Sequence, residues 1–201
     1  MQPDIRAKLQ TYHDLLVKWQ KSVNLVAPST IGDAWNRHFE DSLQLVSLIP
    51  NDAKTLVDIG SGAGFPGLVI GIARPDVKVT LVESDSKKCT FLLAVSRETG
   101  AQNVDVVHGR VEEVLPGTRF DVVTARALAS LGDLFDLTES LWNCESSKKG
   151  PLLIFPKGED WEKEVELTRR DQYFEWSAKP SKTARGAAIL CITNVRNSTN
   201  P

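Results

Sequence analysis

The residues best suited to chemistry lie in one stretch, from Asp58 to Glu83. Asp58 ends a short apolar run, and Glu83 ends the next one, nineteen residues after Gly64. Between them the chain has glycines at positions 60, 62, 64 and 67. Glycine tolerates positive φ and lets a ligand approach the backbone, and a helix after such a turn presents free N–H groups. An acid at the later position typically meets ribose hydroxyls. The spacing therefore predicts a nucleotide-like ligand.

Two ligand classes fit this stretch. Gly62, Gly64 and Gly67 follow the dinucleotide pattern G-x-G-x-x-G. Read from Asp58, the same turn resembles the acid-x-G-x-G-x-G motif of class I methyltransferases, which bind S-adenosylmethionine (SAM). Asp58 would then bind the ammonium group of the ligand, directly or through water. Glu83 suits NAD and SAM equally, so the motif leaves both open.

Strands and helices must alternate to position these residues, and the sequence predicts that they do. Apolar and β-branched runs predict seven strands, at 55–59, 77–83, 104–108, 120–125, 152–155, 173–177 and 187–195. Helical spacing and caps predict helices at 66–73, 86–99, 131–142 and 161–170. We expect an α/β, Rossmann-like fold with a mostly parallel sheet and helices on both faces. The last two strands could form an antiparallel hairpin.

The first fifty residues predict a helical extension. Apolar residues three or four apart predict a first helix, with Ile5, Leu9, Tyr12, Leu16 and Trp19 on its buried face. A second helix is expected from about Asp33 to Pro50, burying Trp35, Phe39, Leu43 and Val46. About fifty residues bury too little surface to fold alone. We therefore expect residues 1–50 to cap the main domain, residues 51–201.

Composition limits the class of protein. With 201 residues, of which 41% are hydrophobic and 25% charged, the chain predicts one globular domain with a small extension. No apolar run approaches a membrane span, so we expect a cytoplasmic protein without membrane contact. Cys89, Cys144 and Cys191 are odd in number and widely spaced, and the three histidines lack metal-ligand spacing. We therefore expect neither a disulfide nor a metal site.

Charge is unevenly distributed along the chain. The formal net charge of −2 argues against a nucleic-acid binder that acts through its overall charge. Residues 176–201 contain no acid, however, and carry Lys179, Lys182, Arg185 and Arg196. This stretch is either a local basic patch for nucleic acid or a solvated loop and edge strand.

The predicted strand ends bring polar groups to one rim of the sheet. Ligands of such sheets bind beyond the carboxyl ends of the strands. The groups expected there are Asp58, Gly60 to Gly64, Glu83, His108 to Glu112, Arg126 and Lys157.

A set of motifs, in order over nearly the whole chain, supports a more specific interpretation. They are Trp19-x-Lys21-x-x-Asn24-Leu25, Arg37-His38-x-x-Asp41-Ser42, Asp58-Ile59-Gly60-Ser61-Gly62-Ala63-Gly64-Phe65-Pro66-Gly67, Glu83-x-x-x-Lys87-Lys88, Arg110-x-Glu112, Ala125-Arg126-Ala127 and Lys157-Gly158. With these motifs the chain resembles the ribosomal RNA small-subunit methyltransferase G family, also called glucose-inhibited division protein B. Gln20, Val111 and Cys191 depart from the usual residues of that family.

The resemblance implies methyl transfer from SAM to N7 of a guanine in 16S ribosomal RNA. The substrate would be free 16S ribosomal RNA, the small ribosomal subunit or its assembly intermediate, and the enzyme is expected to be a monomer. The resemblance also implies a set of SAM contacts. They are Gly60, Phe65, Val111, Glu112 and Arg126, with Glu83 on the ribose and Asp58, Gly62 and Gly64 completing the glycine turn.

Guanine N7 has a free lone pair and no proton, so its methylation needs no general base. Alignment of the reacting atoms would then supply most of the catalysis. Arg126 and Lys157 are expected to clamp the SAM carboxylate or a phosphate. His38 and Asp41 are candidates for positioning the guanine, and a plain contact between helices explains them equally well.

Two other functions remain open from the sequence. An NAD-dependent oxidoreductase would use the same glycine turn, but no second domain and no Tyr-x-x-x-Lys pair is present. A non-catalytic RNA-binding module would keep the fold without the chemistry. The intact turn, Glu83 and Arg126 argue against it.

Overall fold

The computed structural model describes residues 2–143 and 150–197. It contains a seven-stranded sheet of order β3-β2-β1-β4-β5-β7-β6. The strands are β1 (Thr55–Ile59), β2 (Lys78–Glu83), β3 (Val104–His108), β4 (Val122–Ala125), β5 (Leu152–Lys157), β6 (Gln172–Pro180) and β7 (Ala188–Asn197). Strands β1 to β5 pair in parallel, whereas β7 runs antiparallel to both β5 and β6. The predicted sheet and its closing hairpin are confirmed.

Helices cover both faces of the sheet. They are α1 (Pro3–Trp19), α2 (Asp41–Leu43), α3 (Gly67–Ala73), α4 (Ser86–Thr99), α5 (Val111–Val114), α6 (Leu131–Trp142) and α7 (Trp161–Thr168). Successive strand residues point to opposite faces, so Leu56 joins one apolar cluster and Val57 the other. The first cluster contains residues of α1, α3 and α4, and the second contains residues of α6 and α7.

The second N-terminal helix was predicted as continuous, and this prediction is wrong. Residues 28–48, which we call the cap segment, form short turns of different pitch. They are a 3₁₀ turn at Pro28–Asp33, a π turn at Trp35–Glu40, α2, and a 3₁₀ turn at Val46–Leu48. The Ser42 hydroxyl donates to the carbonyl of His38 at 2.6 Å, a local bond that competes with regular helix. Only Phe39 of the predicted buried face is fully buried.

The cap segment and α1 pack on the main domain. Leu9, Tyr12 and Leu16 of α1 lie in the same buried cluster as Leu56 of β1 and Leu68 of α3. The domain boundary expected at residue 50 stays a prediction.

Candidate functional site

The glycine turn begins where β1 ends. Gly60, Gly62 and Gly64 all have positive φ, of 62°, 57° and 92°. A Cβ on Gly64 would lie 2.5 Å from the Tyr12 hydroxyl oxygen, so packing alone excludes a side chain there. A Cβ on Gly62 would meet nothing closer than 3.8 Å. Gly62 therefore presents an open backbone face, which a ligand can approach.

Glu83 joins the end of β2 to this turn. Its carboxylate accepts hydrogen bonds from the backbone N–H of Gly62 at 2.7 Å and of Asp85 at 2.8 Å. The side chain is buried but borders the cavity described below. The acid predicted to meet a ribose therefore stands beside the open face of Gly62.

Asp58 has a different position from the one expected. It is fully buried, and its carboxylate accepts from the Gly67 N–H at 3.2 Å and from the Thr124 hydroxyl at 2.7 Å. Burial raises the pKa of Asp58 to about 6, against the effect of these bonds. Its geometry supports a role in holding the turn to the start of α3 and to β4. The predicted contact with the ligand's ammonium group stays a prediction that this geometry does not support.

A cavity of about 740 Å³ opens beyond the carboxyl ends of the strands. This volume is in the usual range for small-molecule sites. It is lined by the strand ends, residues 25–27, the cap segment, Lys88 of α4 and the loop between β6 and β7. The predicted site residues that line it are Gly60, Gly62, Phe65, Glu83, Arg126, Lys157, His38 and Asp41.

Four predicted cofactor residues do not line this cavity. Asp58 and Gly64 are enclosed by the turn, as described. Val111, the first residue of α5, is buried in the cluster of Ile59 and Val82. Glu112 is exposed, and its contact with an adenine stays a prediction.

Phe65, which lines the cavity, belongs to a stack of three aromatic rings. The Phe65 ring lies between the ring of His38, at 5.0 Å and 24°, and that of Tyr12, at 5.3 Å and 10°. The Tyr12 hydroxyl donates to the carbonyl of Ala63. Burial raises the pKa of Tyr12, so its phenol keeps the proton that it donates. The sequence marked Tyr12 only as a core residue.

The protonation of His38 follows from its partners. An Arg126 Nη2 lies 3.2 Å from His38 Nδ1, and a guanidinium can only donate, so Nδ1 accepts. The proton is then on Nε2, which lies 2.8 Å from the Thr30 hydroxyl, itself a donor to the Ala27 carbonyl. Burial, followed by the charge of Arg126, lowers the pKa of His38 to about 4. His38 is therefore neutral near pH 7, with both nitrogens occupied.

Both cations that the sequence predicted as clamps are ion-paired. Arg126 donates to Asp41 at 3.0 Å and lies 5.2 Å above the Phe65 ring. Lys157 lies 2.6 Å from a carboxylate oxygen of Glu164 and donates to the Ala129 carbonyl. The sequence did not single out Glu164, seven residues after Lys157 on α7.

Two other cations line the cavity without an ion pair. Arg37 and Lys88 have no carboxylate within 4.0 Å in the part of the chain that the structure describes. Arg37 is exposed on the cap segment and Lys88 is half-buried on α4. Both belong to motifs noted in the sequence, but neither was predicted as a site residue.

Within residues 2–143 and 150–197, no group of three or more His, Cys, Asp and Glu side chains is placed to hold a metal ion. None of the helices in these ranges is long and apolar enough to cross a bilayer. Cys89 is buried, Cys191 is half-buried, and Cys144 lies outside the described residues.

The chain is similar to known methyltransferases. Residues 5–187 match the sequence model of a family described as rRNA small subunit methyltransferase G. A protein of that name from Paramagnetospirillum magneticum is 45% identical, over 94% of this chain and 88% of its own length. Another, from Gluconobacter oxydans, is 40% identical over 94% of this chain and 93% of its own.

Solved structures resemble the fold at low sequence identity. A SAM-dependent methyltransferase from Aquifex aeolicus superposes with a TM-score of 0.59 at 13% identity, covering 85% of this chain and 98% of its own. TYW2 from M. jannaschii, solved in complex with AdoMet, gives 0.56 at 14% identity, covering 79% of this chain and 74% of its own. The expected methyltransferase fold is confirmed.

Proposed function

The chain belongs to the rRNA small subunit methyltransferase G family, and from this premise we propose that it transfers the SAM methyl group to N7 of a guanine in 16S rRNA. The observation that carries the proposal is the cavity itself. The open face of Gly62 and the carboxylate of Glu83 meet there, beside the neutral His38 and the Phe65 ring. The side of the cavity formed by Gly62 and Glu83 suits a sulfonium cofactor, and the side formed by His38 and Phe65 suits a planar base.

SAM would lie along the glycine turn. In this arrangement Glu83 accepts from the ribose hydroxyls, and Gly60 and Phe65 border the methionine end. Because the Glu83 carboxylate already accepts from Gly62 and Asp85, it is fixed in place before the ligand arrives. Glu112 is proposed to meet the adenine from outside the cavity lining.

The proposed methyl transfer needs little acid–base catalysis. N7 attacks the methyl carbon with its lone pair, the carbon–sulfur bond breaks, and its electrons stay on sulfur. The positive charge moves from the sulfonium to the purine, and no proton must leave first. Neutral His38 fits this requirement. Alignment of the three reacting atoms can lower such a barrier by roughly 7–11 kcal/mol in favourable cases.

The ion pairs also fit a cationic product. An unpaired Arg126 or Lys157 would repel the positive charge that develops on the purine, since charges interact strongly where water is excluded. Asp41 and Glu164 neutralise them. We therefore assign to Arg126 the orientation of the guanine and of the methionine end of SAM. Lys157 is assigned to fixing Glu164, which in turn accepts from the Leu131 N–H at the start of α6, at 2.7 Å.

RNA phosphates would bind to the cations without ion pairs. Arg37 and Lys88 stand at the cavity, and Lys179, Lys182 and Arg185 are exposed on the β6–β7 hairpin. We propose that the substrate is the small ribosomal subunit or its assembly intermediate, and that the enzyme acts in the cytoplasm as a monomer. Family membership excludes the NAD-dependent oxidoreductase and gives no support to a non-catalytic RNA-binding module.

A label-transfer assay tests the proposal. Purified protein is incubated with methyl-labelled SAM and small ribosomal subunits from cells lacking the gene, and the RNA is digested to nucleosides. We expect the label in 7-methylguanosine. Label in another nucleoside contradicts the N7 assignment. Thermal stabilisation of the protein by NAD and not by SAM contradicts the whole proposal.

A further inference from the structure

The loop between β6 and β7, residues 181–187, is held to the rest of the described chain through two side chains of the cap segment. The Thr183 hydroxyl donates to Asp41 at 2.6 Å, and the Lys182 N–H donates to the Gln44 side-chain oxygen at 2.9 Å. The Gln44 amide also reaches the Ser181 and Thr183 hydroxyls, at 3.4 Å each. Within the described part of the chain, the other hydrogen bonds of the loop stay within it, such as those from the Thr183 and Ala184 N–H groups to the Ser181 hydroxyl.

Asp41 connects this loop to Arg126. One of its carboxylate oxygens accepts from Thr183 and from the Gln44 amide at 2.9 Å, and the other accepts from Arg126 at 3.0 Å. Both oxygens are therefore occupied, and the plane of the carboxylate is fixed from two sides. Asp41 and Arg126 are each only 17% exposed at the side chain, so water screens the ion pair little. Asp41 thus links the Thr183 hydroxyl, 142 residues away in sequence, to the guanidinium of Arg126 above Phe65. Arg126 also donates to His38 Nδ1 at 3.2 Å and to the Arg37 carbonyl at 3.3 Å.

We infer that Thr183 is a positioning residue for methyl transfer, acting through Asp41 on Arg126. The inference rests on the proposed function, because it assigns Arg126 to orienting the reacting groups. Without the Thr183 hydroxyl, one Asp41 oxygen keeps only the Gln44 amide, which also has the Ser181 hydroxyl within reach. The carboxylate can then turn, and Arg126 turns with it. The same contacts hold the loop that carries Lys182 and Arg185, whose neighbours Ser181, Thr183 and Ala184 line the cavity.

Thr183→Val tests this inference because it removes the hydroxyl at nearly constant volume. Thr183→Ser keeps the hydroxyl and serves as the rescue variant. Thr11→Val is the matched control, since the half-buried Thr11 donates only to the Ala7 carbonyl within α1. The measurement is the single-turnover rate of methyl transfer to small subunits at saturating SAM, together with SAM affinity by calorimetry.

We expect Thr183→Val to slow transfer about tenfold, since hydrogen bonds to charged groups are among the stronger ones. Thr183→Ser should recover the rate to within about twofold. Because Arg126 also borders the methionine end, SAM affinity should fall in Thr183→Val and return in Thr183→Ser. A role through Arg126 also predicts non-additivity. In an Arg126→Lys background, Thr183→Val should therefore cost much less than tenfold.

Three results would overturn the inference. They are a wild-type rate in Thr183→Val, no recovery in Thr183→Ser, and the same loss in the Arg126→Lys background as in the wild type. Should Thr183→Val fail to fold, Gln44→Leu releases the loop from the other side and should slow transfer in the same direction; a wild-type rate there overturns the inference too. The single-turnover rates measure total methyl transfer, whichever nucleoside is methylated. If the wild-type enzyme made a product other than 7-methylguanosine, the proposed function would be contradicted, but the rates of the Thr183 variants could still be compared.

Discussion

His38 is the residue whose protonation state bears most directly on mechanism. The unperturbed pKa of a histidine, near 6.5, lies in the range where many enzymes work. Burial and the neighbouring Arg126 move that pKa to about 4, a shift that residue type alone does not reveal. The two residues are 88 positions apart in sequence and meet only because the cap segment covers the sheet.

The first prediction concerns the pH dependence of the chemical step. With His38 neutral and no proton on N7, the single-turnover rate at saturating SAM and RNA should be nearly flat from pH 7 to 9. His38→Ala should lower the rate through lost positioning, with the profile still flat. A rate that rises log-linearly with pH in the wild type, and not in His38→Ala, would instead indicate general-base catalysis.

The second prediction concerns Asp58. Its pKa is about 6 in the folded protein, above the unfolded value near 3.9. Between these values the folded state binds more protons than the unfolded state, so its contribution to stability is present below about pH 4 and is lost as pH rises to 6. Asp58→Asn should remove this loss, and urea unfolding should show less decline in stability from pH 4 to 6 than in the wild type.

SAM affinity of the same variant decides the role of Asp58. The asparagine oxygen can still accept from the Gly67 N–H, and its amide can donate to Thr124. If the carboxylate only holds the turn, SAM should bind within a few-fold of wild type. A loss of a hundredfold or more, with the fold intact, would restore the direct contact with the ammonium group that the motif suggested.

At the scale of secondary-structure elements, the sequence predicted the strands more reliably than the cap segment. The strand runs of β1 to β3 are short, apolar and bounded by turn residues, so all were located to within one residue of the observed start. Residues 33–50 have helical spacing, and spacing cannot tell a regular helix from a chain of 3₁₀, π and α turns. The pairing of Lys157 with Glu164 was missed for a related reason, because it depends on how α7 packs back onto the end of β5.

The third prediction tests the glycine turn with a matched pair. Gly62 and Gly100 share a φ near 60°, and a Cβ would meet no atom closer than 3.8 Å at either position, but only Gly62 lines the cavity. Alanine at either position should cost roughly 1–2 kcal/mol of stability from backbone strain. Only Gly62→Ala should also weaken SAM binding in calorimetry. Equal SAM affinity in the two variants would place the ligand elsewhere.

Glu83 gives the fourth prediction, at the end of β2. Glu83→Ala removes an acceptor of charge-assisted hydrogen bonds, worth roughly 1.5–3 kcal/mol. SAM affinity should fall about ten- to hundredfold. Asp105→Ala on β3 is the control, because Asp105 forms an exposed ion pair with Lys78 away from the cavity. Unchanged SAM binding in Glu83→Ala would remove this residue from the site.

At the level of the whole molecule, charge placement matters more than net charge. The chain carries −2 overall, yet Arg37 and Lys88 line the cavity without an ion pair to any described residue. Affinity for RNA should fall steeply as salt rises, with a slope of about 0.7 per phosphate contact on single strands. Replacing both residues with glutamine should reduce the slope by about 1.4 and leave SAM affinity unchanged.

Two further sets of variants serve as comparisons for this fifth prediction, on the salt dependence of RNA binding. Lys163→Gln on α7 removes an exposed charge paired with Asp160, and should leave the slope unchanged. Joint replacement of Lys179, Lys182 and Arg185 tests the hairpin. If this triple variant flattens the slope and the Arg37 and Lys88 variant does not, the RNA is bound mainly by the hairpin and not by the cavity rim.

The most direct test of the proposed activity is chemical mapping of N7-methylguanine in 16S rRNA from cells with and without the gene. N7 methylation makes the RNA cleavable at the modified position, so the signal reports both the atom and the nucleotide. One cleavage site should disappear when the gene is deleted and return when wild type is supplied, but not when Arg126→Ala is supplied. An identical cleavage pattern with and without the gene would contradict the assignment of guanine N7 as the methyl acceptor.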